Sequence, residues 1–202
     1  LLCEYSLHDY WCDMLVEIRW NQHAAPQDII SLLLLVERLA IAIKSGANSN
    51  KMRTILTLFG TRPEIIKLAP VIWALERRSE TWRSVTVSSS QHTDLLRPFI
   101  RELDINVDHD LAVMTPGQTP NAVLAKVLTA LEPLFLAEKP DLVLVQGDTT
   151  TAIAGALAAF YARIPVAPVE AGLRTGNRLS PFPEEMNRRL ITPLADLHFA
   201  AT

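Results

Sequence analysis

The sequence predicts an α/β protein in which a parallel, Rossmann-like sheet carries helices on both faces. From Met52 onward, short apolar segments rich in β-forming residues alternate with helical segments of about 10 to 20 residues, as in βαβ units with right-handed crossovers. Several of the short segments are continuously apolar, as expected for strands buried on both faces. The chain has 202 residues, 49% hydrophobic and 20% charged, which is enough for one domain with a substantial core.

The elements can be placed in order along the chain. The first strand is predicted at 53–59, where the run RTILTLF ends at Gly60. A helix follows from Pro63, because proline suits the first turn of a helix. Further strands are expected at 84–89, 108–111, 141–146, 165–169 and 197–199, and helices at 93–103, 118–138, 150–161 and 183–194. Ligands of such sheets bind beyond the carboxyl ends of the strands, so the loops there are the candidate site.

Residues 1–51 do not show the regular alternation of strands and helices that begins at Met52. We predict that they are an extension unrelated to the sheet; the alternative is that they form a functional module of their own. The polar segment SGANSNK at 45–51 separates them from the domain at 52–202, for which Met52 is a natural start. Within the extension, 27–44 is predicted to form one helix. The only cysteines, Cys3 and Cys12, lie here, so neither a disulfide framework nor a thiolate metal site is predicted for the domain.

Charge and hydropathy argue against several classes of partner. The formal net charge of −3 disfavours a nucleic-acid or anionic-membrane surface. The longest apolar run, 29–43, is interrupted by Glu37 and Arg38 and is shorter than the about 20 residues that a membrane-spanning helix needs. The first 22 residues do not resemble a signal peptide. We therefore expect a cytoplasmic protein without a nucleic-acid or membrane partner.

A basic loop follows the first strand. Gly60 to Glu64 form this loop, and Lys67 lies one turn into the helix. Free amides at the positive end of the helix could bind a phosphate or a sugar hydroxyl, with Arg62 and Lys67 adding charge. The pattern is not GxGxxG, so a dinucleotide fold is not indicated. The alternative is a tight turn with two solvated basic residues.

Acidic residues occur in three later segments, of which the first two follow the fourth and fifth predicted strands. Asp148, in QGDTTT, could be the N-cap of the next helix, although Gly147 beside it leaves room for a ligand. Glu170 directly ends an apolar strand, where a partly buried carboxylate is costly unless paired, and Arg174 is its nearest candidate partner.

The third acidic segment is SPFPEEMNR at 180–188, which leads into a helix. Glu185 can pair with Arg188 or Arg189 along that helix, which accounts for one of its two glutamates. The same ion pair does not account for Glu184, which therefore stays a candidate site residue. Carboxylates in different environments can have separated pKa values, which distinguishes an acid from a base.

Six segments together resemble, in the same order, the signature segments of non-hydrolysing UDP-N-acetylglucosamine 2-epimerases. They are FGTRPEIIKLAP at 59–70, SSQH at 89–92, PGQ at 116–118, QGDTTT at 146–151, PVEAGLRTG at 168–176 and SPFPEEMNR at 180–188. The resemblance covers the chain from Met52 to Thr202 without a long gap. It implies the N-terminal domain of a glycosyltransferase-B-type fold, with the active site between two Rossmann-like domains.

The resemblance also implies a reaction: UDP-GlcNAc and UDP-ManNAc interconvert by elimination of UDP with loss of the C2 proton, followed by re-addition, without nicotinamide or metal. Such enzymes supply precursors of cell-surface polysaccharides, and we expect a homodimer at full length. Asp148, Glu170 and Glu184 then resemble the catalytic carboxylates, with the acid and base roles left open. Arg62, Lys67 and Arg174 resemble contacts to the nucleotide sugar. Gln91, His92 and Gln118, with Arg174 beside them, resemble a neighbouring regulatory UDP-GlcNAc site.

The second domain of such enzymes is not found in these 202 residues, and 1–51 matches nothing in the family. We therefore expect the chain alone to be inactive or nearly so. One alternative is a different enzyme on the same scaffold, either a glycosyltransferase or the hydrolysing epimerase, although the run RPEIIK favours the non-hydrolysing branch. The other alternative is a fragment that binds nucleotide sugar without catalysis.

Overall fold

The fold is organised around one parallel sheet. The computed structural model describes residues 52–90, 93–113, 115 and 117–200. Within these residues, six strands lie in the order β3-β2-β1-β4-β5-β6, and every neighbouring pair is parallel. The predicted α/β class with a Rossmann-like parallel sheet is therefore confirmed. The helix predicted at 27–44 lies outside the described residues.

The elements follow one another as the apolar pattern predicted. The strands are β1 (Arg53–Phe59), β2 (Trp82–Ser88), β3 (His109–Asp110), β4 (Leu142–Gln146), β5 (Val166–Ala171) and β6 (Phe199–Ala200). The helices are α1 (Arg62–Glu76), α2 (Thr93–Glu102), α3 (Pro120–Glu138), α4 (Thr150–Tyr161) and α5 (Glu184–Ile191), and a 3-10 turn covers Thr192–Leu194.

Several boundaries differ from the sequence prediction by one to three residues. Helix α3 begins at Pro120 rather than 118, because the Thr119 hydroxyl accepts a hydrogen bond from the Ala122 N–H and caps the helix. Strand β5 continues to Ala171, so Glu170 lies within its last residues rather than after it. The helix predicted at 183–194 ends at Ile191, where Pro193 removes a backbone donor and the chain tightens into the 3-10 turn. The last strand is at 199–200 instead of 197–199.

Each face of the sheet is covered by its own set of helices. In β1, Ile55 and Phe59 pack with α1 and α2, whereas Leu56 and Leu58 pack with α3 and α4. This alternation is the period of two that a strand requires, and it explains why β1 is apolar throughout. By length and composition α3 could cross a bilayer; 22% of its apolar stretch is buried, with Val127 fully inside the core.

The strand order reverses between β1 and β4. The chain moves outward from β1 to β3 on one side and from β4 to β6 on the other. The loops after β1 and β4 therefore meet at the carboxyl edge of the sheet, at the topological switch point where such folds bind ligands. Helices α1 and α4 begin there, so two helix N-termini face the same crevice.

Candidate active site

The loop between β1 and α1 is organised around Glu64, whose side chain is only 1% exposed. Its Oε2 accepts hydrogen bonds from the backbone N–H groups of Gly60 at 2.9 Å and Thr61 at 2.7 Å, and from the Thr61 hydroxyl at 2.8 Å. Its Oε1 accepts one from Thr149 Oγ1 at 2.6 Å, across the switch point. Burial raises the pKa of Glu64, and these hydrogen bonds oppose that rise.

The prediction that free amides of this loop bind phosphate is wrong for Gly60 and Thr61. Both N–H groups already donate to the Glu64 carboxylate, which occupies the place where an external anion would sit. The crevice is also narrow here. A Cβ atom added to Gly60 would lie 2.1 Å from Ser89 Oγ and 2.5 Å from Thr151 Oγ1, which contact each other at 2.8 Å.

The two basic side chains of the first loop take different partners. The guanidinium of Arg62 stacks over the ring of Phe99, 4.2 Å from its centroid, which fixes the side chain against α2. Lys67 Nζ lies 2.5 Å from Glu170 Oε2 and thus joins the loop after β1 to the end of β5. Both side chains remain exposed at the carboxyl edge, so their cationic groups stay accessible to a ligand.

Glu170 is held in an unusual backbone conformation. Its φ is 64°, in the left-handed region that non-glycine residues adopt at a cost of roughly 1–2 kcal/mol, and the pairing of β5 with β6 shifts register at this point. Its Oε2 accepts hydrogen bonds from Lys67 and from Gln146 Nε2, each at 2.5 Å. The suggested structural partner, Arg174, bonds instead to the Leu173 carbonyl and Thr192. Strain of this kind at a charged residue is typical of a functional position.

Asp148 is not the cap of α4, contrary to the structural alternative for this residue. Thr149 is the N-cap, and its hydroxyl accepts from the Ala152 N–H at 3.0 Å. The Asp148 carboxylate pairs with the guanidinium of Arg188, and its backbone carbonyl accepts from Asn187 Nδ2 at 2.8 Å. Two residues of α5 therefore hold Asp148 at the carboxyl edge.

The adjacent glutamates of α5 have separate roles. Glu185 is fully buried; its Oε2 accepts from the Thr175 N–H at 3.0 Å and its Oε1 from Arg189 at 2.9 Å, as the i,i+4 spacing predicted. These contacts, with the Thr175 N–H the largest, lower the pKa of Glu185. In contrast, Glu184 Oε2 is buried without a hydrogen-bond partner among the described residues. Since Glu184 precedes Arg188 by one turn, it lies on the face of α5 that contacts Asp148.

Of the three residues expected to form the regulatory site, the structure describes Gln118. Gln118 Oε1 accepts from the backbone and hydroxyl of Thr115, each at 3.2 Å, and from Lys126 at 3.3 Å. Gln91 and His92 lie outside the described residues. The grouping of these positions into one regulatory site therefore stays a prediction.

Sequence reasoning missed the residues that hold the carboxylates. Gln146, Arg188 and Glu64 were not predicted as site residues, because each acts on a partner far away in sequence. For Glu64 a signal existed, since Thr61 and Glu64 form the S/T-x-x-E pattern in which a glutamate turns back to the loop amides. In the described part of the chain, no cluster of three or more His, Cys, Asp or Glu side chains could hold a metal ion.

The family model and the curated relatives that match this chain carry the same family name. The family model described as UDP-N-acetylglucosamine 2-epimerase matches residues 74–202. Curated proteins of that name from Bacillus subtilis and Salmonella typhimurium are 49% and 51% identical over 152 and 148 residues, which is 75% and 73% of this chain. This chain spans only 40% and 39% of those relatives' length.

A solved structure shares the fold as well. The crystal structure of UDP-GlcNAc 2-epimerase from Neisseria meningitidis bound to UDP-GlcNAc superposes with a TM-score of 0.69 at 46% identity. The match covers 73% of this chain and 40% of that one. The relatives in sequence and in structure therefore agree with each other.

Proposed function

This chain belongs to the UDP-N-acetylglucosamine 2-epimerase family, and on that premise we propose that it forms one half of the active site of a non-hydrolysing epimerase. The substrate pair is UDP-GlcNAc and UDP-ManNAc. The 202 residues by themselves are expected to be inactive or nearly so, because they span about two fifths of the length of these relatives. Binding of nucleotide sugar without catalysis is the behaviour we expect of the 202 residues by themselves.

One observation carries this proposal: Asp148, Glu170 and Glu184 lie along the same carboxyl edge in three different environments. Asp148 is paired with a guanidinium, Glu170 with an ammonium and an amide, and Glu184 has a buried oxygen without a partner among the described residues. Different surroundings allow carboxylates of one site to act as acid, base and charge stabiliser.

The reaction needs such a set. In the elimination step a base takes the proton from C2, the C1–O bond breaks with its electrons going to UDP, and a C1=C2 double bond forms in the sugar. Re-addition returns a proton to C2 on the other face and UDP to C1. Both contacts of Glu170 fall on Oε2, so within the described residues Oε1 is left to face a substrate. Each correctly placed group of this kind contributes roughly 10²- to 10⁴-fold in rate.

For the test, the portion of a relative that these residues do not match can be joined to them. In a hybrid enzyme, residues 52–202 are joined to the portion of the Bacillus subtilis relative outside its matched segment. We expect the hybrid to convert UDP-GlcNAc to UDP-ManNAc and the 202-residue chain to give no detectable product. Incubation in ²H₂O should place one deuterium at C2. Release of free ManNAc would instead identify the hydrolysing branch, and transfer of the sugar to an acceptor would identify a glycosyltransferase.

Single substitutions then separate the roles of the carboxylates. Glu170→Gln, Asp148→Asn and Glu184→Gln should each lower kcat by about 10²-fold or more. Glu80→Gln is a matched control, because Glu80 is exposed in the turn after α1, at the opposite edge of the sheet. The pH dependence of kcat/KM in each variant shows which limb of the profile that carboxylate controls. Full activity of Glu170→Gln contradicts the catalytic assignment.

The wider setting is part of the same proposal. We infer a cytoplasmic enzyme that supplies precursors of cell-surface polysaccharide and acts as a homodimer at full length. Support for an interface comes from an exposed apolar surface at the C-terminal ends of α3 and α4, where Leu136, Phe160 and Tyr161 are 74%, 53% and 73% exposed. Sedimentation of the hybrid and of a Leu136→Lys/Tyr161→Lys variant tests this, since loss of a dimer is expected only in the variant.

A further inference from the structure

Glu64 is a buried carboxylate that no step of the proposed chemistry uses. It lies between the N-termini of α1 and α4, at the switch point of the sheet, and four groups among the described residues donate hydrogen bonds to it. Two are backbone N–H groups, from Gly60 and Thr61, and two are hydroxyl groups, from Thr61 and Thr149. A burial this complete is tolerated because each carboxylate oxygen is hydrogen-bonded and both helix dipoles favour a negative charge.

The arrangement is that of an anion site filled by the protein itself. Helix N-termini at a switch point ordinarily attract a ligand phosphate. Here the loop amides and the cap of α4 already have an anion, and Gly60 is packed against Ser89 and Thr151 so tightly that a methyl group would not fit. A phosphate can approach this crevice only if Glu64 leaves it.

Glu64 is also connected to the candidate catalytic residue next to Thr149. The Thr149 hydroxyl donates to Glu64 and accepts from the Ala152 N–H, so both hydrogen-bonding directions of this group are fixed. Asp148, the preceding residue, is fixed on its other side by Arg188 and Asn187. The position of Asp148 thus depends on α5 from one side and on Glu64 from the other.

We propose that Glu64 is a positioning residue that sets the loop carrying Asp148 and keeps ligand phosphate out of the crevice between α1 and α4. The diphosphate of the nucleotide sugar must then bind outside that crevice. The role in catalysis rests on the proposed function, whereas the exclusion of phosphate does not.

The first experiment uses the 202-residue chain and nuclear magnetic resonance of its amides. In Glu64→Gln, the amides of Gly60 and Thr61 should shift, because the carboxylate to which they donate is replaced. The amides of residues 147–149 should shift with them, because the Thr149 hydroxyl loses the carboxylate that accepts from it. Glu76→Gln, at the other end of the same helix and exposed, is the control and should leave them unmoved. Unmoved amides in Glu64→Gln overturn the proposal.

Inorganic phosphate tests the exclusion. In the wild-type chain it should not shift the Gly60 and Thr61 amides, whereas in Glu64→Ala it should shift them saturably, and acetate should compete for the same place. A saturable phosphate shift at these amides in the wild type overturns the proposal. If Glu64→Ala does not fold, Glu64→Gln and the wild-type titration still decide it.

Steady-state kinetics of the hybrid enzyme test the positioning role. Glu64→Gln and Thr149→Val should each lower kcat about 10²-fold, the scale of a misplacement of about 1 Å, with KM changed by less than about threefold. Thr149→Ser keeps the hydroxyl and should stay within about threefold of wild type in kcat. Wild-type kcat in Glu64→Gln overturns the positioning role while the proposed function stands. A hybrid without any turnover contradicts the proposed function, and the amide shifts alone then decide the inference.

Discussion

The ion pair between Asp148 and Arg188 offers a quantitative test of the site. The two side chains join the end of β4 to α5 and are 21% and 20% exposed, so most of each charged group is removed from water. Arg188→Met removes the charge and keeps most of the apolar stem. It leaves the Asp148 carboxylate largely buried without a cation, while Asn187 still holds the Asp148 carbonyl.

The magnitude lies between two known limits. Exposed ion pairs contribute about 0–1 kcal/mol, whereas breaking a fully buried pair costs about 3–5 kcal/mol. With about four fifths of each side chain covered, we expect Arg188→Met to lower the free energy of unfolding by about 2 kcal/mol. For a chain of this length the corresponding fall in Tm is about 4–8 °C. Part of this cost comes from Glu185, because Arg188→Met also removes its contact with Arg188 at 3.6 Å. Glu185 keeps its bonds to Arg189 and to the Thr175 N–H in the variant.

A double-mutant cycle isolates the pair. Urea unfolding of the wild type, Arg188→Met, Asp148→Asn and the double variant should give a coupling energy of about 1–2 kcal/mol with an unchanged m-value. Arg178→Met is the matched control; Arg178 is exposed, and the change should stay within about 0.5 kcal/mol. A coupling energy below about 0.5 kcal/mol would refute the claim that α5 holds Asp148 through this pair.

Three further predictions test other parts of the molecule. Gly60→Ala should destabilise the chain by about 1–3 kcal/mol in urea unfolding, because the new methyl group meets two buried hydroxyl groups; an unchanged midpoint contradicts this. Hydrogen bonding to Arg83 lowers the pKa of Glu138 in the folded state. The ionised Glu138 therefore stabilises the fold above its unfolded pKa near 4.5, and this contribution is lost as the pH falls through the lowered pKa. Glu138→Gln should therefore make the free energy of unfolding depend less on pH below about pH 4.5, and an unchanged pH dependence contradicts this. Lys67→Met should lower kcat of the hybrid about 10²-fold, since Glu170 loses its fixed orientation, and a change under threefold speaks against that role.

The fold was predictable because its signals are local and repeated. Continuous apolar runs identified the strands, and α4 was placed at its observed bounds from an alanine-rich run between two turns. The errors occurred at boundaries. Thr119 capped α3 later than expected, and Pro193 ended α5 early, so each miss comes from one polar or imino residue acting on the backbone.

The carboxylates of the site were predictable, but their partners were not. Strand ends in a parallel sheet must meet at one edge, so Asp148 and Glu170 could be placed near each other from the strand pattern alone. The partner of Glu170 is Lys67, 103 positions away in sequence, and that of Glu64 is Thr149, 85 positions away. Such pairings depend on the strand order, which the alternation of elements does not by itself determine.

The error about the first loop shows how a helix N-terminus should be interpreted. Unpaired amides at the start of a helix predict an anion, and the sequence contains one within reach, because Glu64 follows Thr61 at the spacing of a capping box. Its second oxygen extends the same contact to the cap of α4, so one carboxylate satisfies donors at two helix ends. Since those donors are no longer available to a ligand, the charged groups that can meet one on this edge are side chains around the crevice, among them Arg62, Lys67 with Glu170, and Arg188 with Asp148. Under the proposed function, we expect these side chains to orient the sugar for proton transfer, with the diphosphate bound outside the crevice between α1 and α4.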